Sequence, residues 1–532
     1  MARTRAQTGG PFFHSEDVRD EMIRFRSCAS ARTQLPACLF LLAFFMIAPQ
    51  PLGVCAQGAG QSDAPQAAVV QPAAAPHDTA HPVPLLFWAL PFVLLLLTIA
   101  IFPLMPLTEH WWEKNSSKFI VSMILAAATG LYYLLRGHGF HGTPAGISTL
   151  LSMLRHAVIG DYIPFIVLLF SLYTISGGIN FKGDIPAHPF TNTLFLVVGS
   201  LLASVIGTTG TAMLLIRPLL QINSERRHVK HTVVFFIFLV CNIGGCLLPI
   251  GDPPLFLGYL RGVPFLWTLN LVKEWAVCTL LVLLVYYVLE TIAYRTEAPE
   301  DLKKDEETRI PIALSGKRNF FFLAGVVLAV ALLVPDKGFL GTAWRLPNFY
   351  LREIVLLGLA VASLAWTPKG VHEDNGFNFH AINEVACLFI GIFITMQVPV
   401  EILQLKGGEL GLTKPWQFFW ATGILSSFLD NAPTYVVYFS TATTLDPGNM
   451  SVMGVVVAGV PAHIPIPLLT AVSCGSVFMG ANTYIGNGPN FMVKSIAERS
   501  GVKMPSFFGY MLYSTLILIP VFLLMTFLFF RS

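Results

Sequence analysis

Charged residues are scarce in this chain of 532 residues, of which only 12% are Asp, Glu, Lys or Arg while 54% are hydrophobic. A soluble domain carries about 25% charged residues, so this composition cannot cover the surface of a water-exposed globule of this size. Disorder is excluded too, because it requires low hydrophobicity. A net charge of +3 offers no basic face for nucleic acid. These absences leave an integral membrane protein, with the lipid bilayer as its surroundings.

The chain also lacks the residue spacings of a metal site or an enzyme. Its eight cysteines include no Cys-x-x-Cys pair. We expect no metal at His138 and His141, which lie in a loop. Asp252 follows Pro-Ile-Gly, so the Gly-x-Gly-Asp signature of intramembrane aspartyl proteases is absent. We therefore predict that the protein is not an enzyme and uses no cofactor.

The N-terminal region has the composition of a leader followed by a linker. A basic lead precedes the apolar stretch 36–48, which is too short to span a bilayer, and small residues follow at 54–56. We predict a signal peptide over 1–56, with Met22 as an alternative start and a retained short helix as the alternative outcome. Residues 57–83, rich in Ala, Pro, Gln and Gly, predict a flexible exported linker.

Twelve apolar runs follow, each about long enough for a hydrocarbon core of roughly 30 Å. They are continuous rather than alternating, which predicts an all-α polytopic membrane protein with about 11–12 membrane segments. We predict a first repeat over 84–293, a charged cytoplasmic linker over 294–318, a second repeat over 319–532, and a helix in the interface plane over 143–160. The runs are 84–106, 118–135, 161–178, 189–206, 231–250, 267–292, 319–335, 351–366, 382–397, 415–430, 466–485 and 506–530.

The signal peptide and the distribution of Lys and Arg predict the same orientation. The mature N-terminus, the segment Leu445–Ile464 and the C-terminal Arg531-Ser532 should lie outside the cytoplasm, and Arg295–Arg318 should lie inside. This arrangement predicts a multi-pass protein of the cell inner membrane.

The two halves contain matching interrupted segments. Ile250–Phe256 aligns with Ile485–Phe491, and the Gly- or Pro-broken stretches 207–212 and 430–434 lie just upstream. When the predicted spans are counted from an N-terminus outside the cytoplasm, the two copies cross the membrane in opposite directions. Paired broken segments in inverted halves indicate the binding site of a secondary transporter.

Backbone that leaves a helix at membrane depth must line a cavity or be buried in protein. The predicted substrate- or ion-binding residues at these breaks are Thr208, Thr209, Thr211, Asn242, Asp252, Asp430, Asn431, Thr434, Asn482, Asn487 and Asn490. The candidate Na⁺ ligands among them are Asp252, Asp430, Asn431 and Asn487.

An intramembrane carboxylate needs a partner or a function, because its charge costs about 2.5–3.5 kcal/mol there. We predict that Asp430 is the proton-linked cation ligand, assisted by Asn431 and Thr434. Asp430 and Asp252 could alternatively cap helices. Arg217 either extends its charge to the inner surface or pairs with a carboxylate or an anionic substrate.

Three motifs carry a family resemblance: Ser426–Thr434, Ile250–Pro254 and Asn242–Gly245. With these the chain, over about 84–530, resembles the ion transporter superfamily, in particular its NhaD-type sodium/proton antiporters and its citrate transporters. The resemblance implies two inverted repeats, each with a re-entrant hairpin and a broken helix. It also implies a homodimer in which a transport domain moves against a scaffold.

The hairpin tips decide between two predicted functions. Sodium-coupled dicarboxylate members of the superfamily carry Ser-Asn-Thr at both tips, whereas the tips here are Gly-Thr-Thr-Gly-Thr and Asp-Asn-Ala-Pro-Thr. We therefore predict a sodium/proton antiporter that moves only Na⁺ and H⁺. The alternative is a citrate or dicarboxylate carrier coupled to a cation, in which half-helix N-termini, Thr208, Thr209 and Asn431 bind the substrate.

Overall fold

The computed structural model describes residues 83–139, 143–307, 310–334, 350–457 and 460–531. The predicted signal peptide lies outside the described residues, and so does the predicted linker apart from Val83. His141 and Ser532 also lie outside them. The chain divides into two units. One comprises 1–80 and Asn378–Asn383, and the other comprises His81–Phe377 and Glu384–Ser532. In the described part of the first unit, the backbone N–H of His380 donates to Asn378 Oδ1 at 2.9 Å.

Helices form most of the described chain. Those of the first half are α1 Leu90–Ile101, α2 Glu109–Trp112, α3 Asn115–Leu135, α4 Ile147–Leu154, α5 Ile163–Gly177, α6 Pro189–Ile206, α7 Thr208–Ile222, α8 Lys230–Leu239, α9 Pro253–Leu260 and α10 Val272–Arg295. After α11 Pro299–Glu307 come α12 Asn319–Leu332, α13 Leu351–Trp366, α14 Lys369–Asp374, α15 His380–Thr395, α16 Gln397–Lys406, α17 Pro415–Phe428, α18 Asn431–Ala442, α19 Ile466–Met479, α20 Gly488–Arg499 and α21 Phe507–Phe529.

Within the described residues, two small antiparallel sheets accompany the helices. Strand β1 (Asn180–Asp184) pairs with β2 (Ile310–Ser315), so that Asn180 lies opposite Ser315. Strand β3 (Val452–Val457) forms a hairpin with β4 (Val460–Pro465). The first sheet therefore connects the end of α5 to the segment between the halves.

Six helical stretches in the described residues are long and apolar enough to cross a membrane, namely Asn115–Leu135, Ile147–Gly177, Pro189–Ile206, Phe265–Arg295, His380–Leu410 and Phe507–Phe529. Their outward faces are hydrophobic: on α10, Leu280, Leu284 and Val288 are 64%, 62% and 51% exposed at a spacing of four residues. Such a stripe is stable only against lipid or another apolar surface. The prediction of an all-α polytopic membrane protein is confirmed.

Both halves contain the same order of elements: a helical hairpin, a broken helix and a long helix. They are α6–α7, α8 with α9, and α10 in the first half, and α17–α18, α19 with α20, and α21 in the second. The second arm of each hairpin packs against the broken helix of the other half, α7 on α20 and α18 on α9. The two interrupted regions therefore meet at one place.

The structure corrects two details of the predicted organisation. The helix expected in the interface plane over 143–160 instead continues into α5 through π-helical residues Arg155–Tyr162, and Thr149, Met153 and Ala157 on its inner side are fully buried. The linker expected as a charged loop contains α11 and β2. Each of the twelve predicted apolar runs contains a helix.

Candidate functional site

The tip of the first hairpin is a single glycine. Gly207 ends α6 with φ +87° and ψ 148°, a conformation that is essentially restricted to glycine. This turn lets the backbone N–H of Thr208 donate to the carbonyl of Gly251 at 2.9 Å. The first residue of α7 is thereby joined to the break between α8 and α9.

The tip of the second hairpin is capped by Asp430. Its Oδ1 accepts a hydrogen bond from the backbone N–H of Ala432 at 3.0 Å, and the hydroxyl of Thr434 donates to the Asp430 carbonyl at 3.0 Å. The capping alternative for Asp430 is thus realised. A carboxylate that caps a helix through one hydrogen bond retains further lone pairs, so it keeps the capacity to accept another partner.

Asp252 occupies the N-cap position of α9, yet its side chain makes no capping bond. Its Oδ1 instead accepts from the Thr208 hydroxyl at 3.0 Å and from Asn487 Nδ2 at 3.2 Å, and its Oδ2 accepts from Asn431 Nδ2 at 2.6 Å. The residue is 1% exposed. Both hairpins and both breaks therefore contribute to the surroundings of one buried carboxylate.

The break between α8 and α9 can approach the start of α7 closely because residue 245 is a glycine. A Cβ there would lie 2.7 Å from Thr208 Cγ2, which is closer than real Cβ contacts, and 3.0 Å from Asp252 Cβ, which is unusually tight. The glycine therefore allows the break after α8 to pass directly beside the Thr208–Asp252 hydrogen bond.

Asparagines join the two breaks to each other. Asn487 Nδ2 also donates to the carbonyl of Cys241 at 2.9 Å, and Asn242 Nδ2 donates to Asn490 Oδ1 at 2.8 Å. Asn490 Nδ2 in turn donates to the carbonyls of Gly480 and Thr483, both at 2.9 Å. The predicted residues Asn242, Asn487 and Asn490 thus form one buried network across the halves.

Several oxygen atoms near these breaks have no hydrogen-bond partner among the described residues. Asn431 Oδ1, Asn242 Oδ1, Asn482 Oδ1 and Thr211 Oγ1 are all buried in this state. Buried polar groups are nearly always satisfied, so unpaired acceptors call for a donor or a cation. Carboxylate, amide and hydroxyl oxygens are the hard ligands that suit Na⁺.

Four helices begin at this place. Thr208 and Asn431 are the first residues of α7 and α18, and Asp252 and Asn487 are the N-cap residues of α9 and α20. A helix N-terminus carries a partial positive charge of about half a unit, so it favours an anion. The site therefore combines an anion-favouring field with cation-favouring oxygens.

The remaining predicted residues lie at different distances from this network. Asn482 Nδ2 donates to Ser427 Oγ at 2.8 Å on the second-half side, and Thr209 is half-buried beside Thr208. Arg217 donates from Nη1 to the backbone carbonyl of Asn375. Ser427 was missed as a site residue, although it lies within the motif that carries the family resemblance.

The site contains no recognisable transition-metal arrangement. Within the described residues, no group of three or more His, Cys, Asp or Glu side chains is placed to hold a metal ion. Any cation that binds here would be held by mixed carboxylate, amide and hydroxyl oxygens.

Comparison with known proteins identifies the family. A family profile described as "Putative citrate transport" matches residues 81–530. No curated protein matches the chain. The profile corresponds to the citrate branch of the predicted superfamily, and the match does not single out its NhaD-type antiporters. Because the match covers most of the chain, including both hairpins and both breaks, this protein belongs to the citrate-transport family.

Proposed function

We propose that the protein is a secondary active transporter that moves citrate or a dicarboxylate together with a cation. The observation that carries this proposal is the meeting of four helix N-termini around Asp252. Helix N-termini bind carboxylates through their positive field and their free N–H groups. The family match supports the same substrate class.

Asp252 explains why binding of a carboxylate substrate would be coupled to binding of a cation. Its own negative charge lies where the substrate's carboxylate would benefit from the helix field, and two anions at this depth repel each other strongly. A cation bound by Asp252 and by unpaired oxygens such as Asn431 Oδ1 removes this repulsion. Substrate binding therefore becomes favourable only after a cation has bound, which is the requirement for symport.

Transport further requires that the buried site open alternately to both sides of the membrane. The repeated order of hairpin, broken helix and long helix supports two inverted repeats as the basis of this motion. Location in the inner membrane and assembly as a homodimer are parts of the same proposal. Cross-linking of the protein in its native membranes tests the dimer.

Sodium/proton antiport is the second candidate function. One observation favours it: the side-chain hydrogen bonds to Asp252 come only from a hydroxyl and two amides within the described residues, and none comes from a basic group. A carboxylate surrounded by neutral polar groups can exchange a proton for Na⁺ without any anionic substrate.

Proteoliposomes that contain the purified protein distinguish the two functions. Uptake of labelled citrate and Na⁺-dependent dequenching of an internal pH dye are measured in the same preparation. The proposal expects citrate uptake driven by an inward cation gradient and abolished in Asp252→Asn. The matched control is Asp446→Asn, an exposed aspartate whose Oδ1 accepts from the Gly448 N–H at 3.1 Å. Proton flux without citrate uptake would establish the antiport candidate instead.

A further inference from the structure

A second polar cluster lies away from the site, where the α7–α8 loop meets the end of α10. Arg226 donates from Nη1 to the carbonyl of Ala187 at 3.1 Å and to Glu290 Oε1, and its Nε is 3.6 Å from Glu297 Oε1. The side chains of Arg226, Glu290 and Glu297 are all fully buried. One arginine therefore faces two buried carboxylates.

Each of these carboxylates also has a histidine partner. His231 Nε2 lies 2.5 Å from Glu290 Oε2, and His228 Nδ1 lies 3.2 Å from Glu297 Oε1. The His231 side chain is 13% exposed and that of His228 is 52% exposed. Solvent protons can therefore reach both imidazoles while their partners stay buried.

Further carboxylates surround this core. Burial raises the pKa of Asp305, and repulsion from Glu225 raises it further. Burial likewise raises the pKa of Asp184, with repulsion from Glu225 and Asp305. The repulsive part of both shifts comes from neighbouring carboxylates, which places several negative charges close together at this junction.

The charge balance can be counted from the groups that face one another here. Arg227 Nε pairs with Asp301 at 2.6 Å, His188 Nδ1 bonds the Tyr294 hydroxyl at 2.9 Å, and the Tyr286 ring packs on His231. With neutral histidines, two positive and six negative charges give −4, and protonation of His228 and His231 gives −2. The six carboxylates are Asp184, Glu225, Glu290, Glu297, Asp301 and Asp305.

The cluster holds both ends of the hairpin α6–α7. Ala187, just before α6, donates its N–H to Asp305 Oδ2 at 2.9 Å, and Asn192 near the start of α6 donates to Glu290 Oε1 at 2.9 Å. Asn223, just after α7, exchanges two hydrogen bonds with Asn192 at 2.8 and 3.0 Å. The opposite end of this hairpin bears Thr208, a partner of Asp252.

We propose that this cluster is a proton-operated clamp on the base of the hairpin α6–α7. Protonated His228 and His231 form ion pairs that fasten the base to α10, and their deprotonation leaves the excess carboxylates to repel one another and loosen it. Histidine changes charge between pH 5 and 8, so the clamp responds in the physiological range. Its effect on transport, faster turnover as pH rises, rests on the proposed function, whereas the clamp itself does not.

Hydrogen–deuterium exchange of the full chain in detergent micelles tests the clamp without any substrate. Exchange of the amides at the start of α6 and in α11 is measured from pH 5.5 to 8.5 and divided by the intrinsic rate at each pH. We expect protection to fall about tenfold across this range, because both histidine–carboxylate ion pairs are lost as the imidazoles lose their charge. His231→Gln removes one of the two ion pairs, so its protection at pH 5.5 should be lower and its dependence on pH smaller than in the wild type.

The matched control is His463→Gln, because His463 is an exposed histidine of strand β4 and belongs to none of the segments that form the clamp. It should retain the wild-type pH dependence. Constant protection in the wild type, or a full pH dependence in His231→Gln, would overturn the proposal. If His231→Gln fails to fold, His228→Gln at the more exposed imidazole takes its place and must reduce the pH dependence. This readout stays valid even if the protein carries no citrate.

Discussion

Replacing Asp252 with alanine should destabilise the protein far more than the same change at Asp430. In Asp252→Ala, the Thr208 hydroxyl and the Asn431 amide lose the one side-chain acceptor that they have among the described residues, whereas Asn487 keeps the Cys241 carbonyl. Each buried donor left unpaired costs about 1–3 kcal/mol, so we expect a loss of about 2–6 kcal/mol. Asp430→Ala removes one capping bond, worth about 1 kcal/mol.

Equilibrium unfolding in mixed micelles, at saturating Na⁺ so that a cation site is filled, measures both free energies. Equal losses for the two variants, or a smaller loss at Asp252, would refute the assignment of Asp252 to the centre of the network. Asp252→Asn is the functional counterpart. Its amide oxygen can still accept from Thr208, and a half-turn of Asn431 lets the unpaired Oδ1 accept from the new amide group. This variant should therefore fold but lose cation-coupled transport.

Further predictions concern other parts of the fold. Gly207→Ala should lower the free energy of unfolding by about 1–3 kcal/mol, because φ +87° with ψ 148° strains any side chain, and no change would contradict the tip geometry. Glu401→Gln should lower the free energy of unfolding by about 3–5 kcal/mol, because the Arg136 side chain, which is 2% exposed, loses its carboxylate partner. A loss below about 1 kcal/mol would be typical of an exposed ion pair and would contradict burial of this one. Asp305→Asn should stabilise the protein at pH 7 and not at pH 4. The carboxyl pKa of Asp305 is raised in the folded state, so the stability of the wild type falls as pH rises through that pKa. An equal difference in stability between the two proteins at both pH values would contradict this direction. A cysteine at the exposed position Lys304 should react with an impermeant maleimide only after sealed cells are opened, and labelling from outside would reverse the predicted orientation.

The sequence predicts the helical architecture well because apolar length is a strong local signal. Each predicted run contains a helix. The match between the two broken segments predicts that Asp252 and Asn487 lie close together, and in the structure Asn487 Nδ2 is 3.2 Å from Asp252 Oδ1. The sheet of β1 and β2 was not predictable in the same way. Its strands have five and six residues and are distant in the chain, so neither gives a periodic signal.

The roles of the two aspartates could not be separated from the sequence. Both Asp252 and Asp430 precede a proline-containing helix start, and both fit a cap equally well. Capping depends on whether the side chain turns back to its own helix, as Asp430 does, or toward donors from distant segments, as Asp252 does. The Arg226–Glu290–His231 cluster was missed for the same reason, since its members are joined only by the fold.

The dispersed origin of the donors to Asp252 also sets an order of assembly during synthesis. Thr208, Asn431 and Asn487 lie 44, 179 and 235 residues from Asp252 along the chain. Translation at roughly 5–20 residues per second leaves the newly made carboxylate without its last partner for about 12–47 s. A chain arrested before residue 431 carries a membrane-embedded aspartate with one side-chain donor. Incomplete copies of this protein therefore carry an aspartate whose hydrogen-bond partners from the second half have not yet been made.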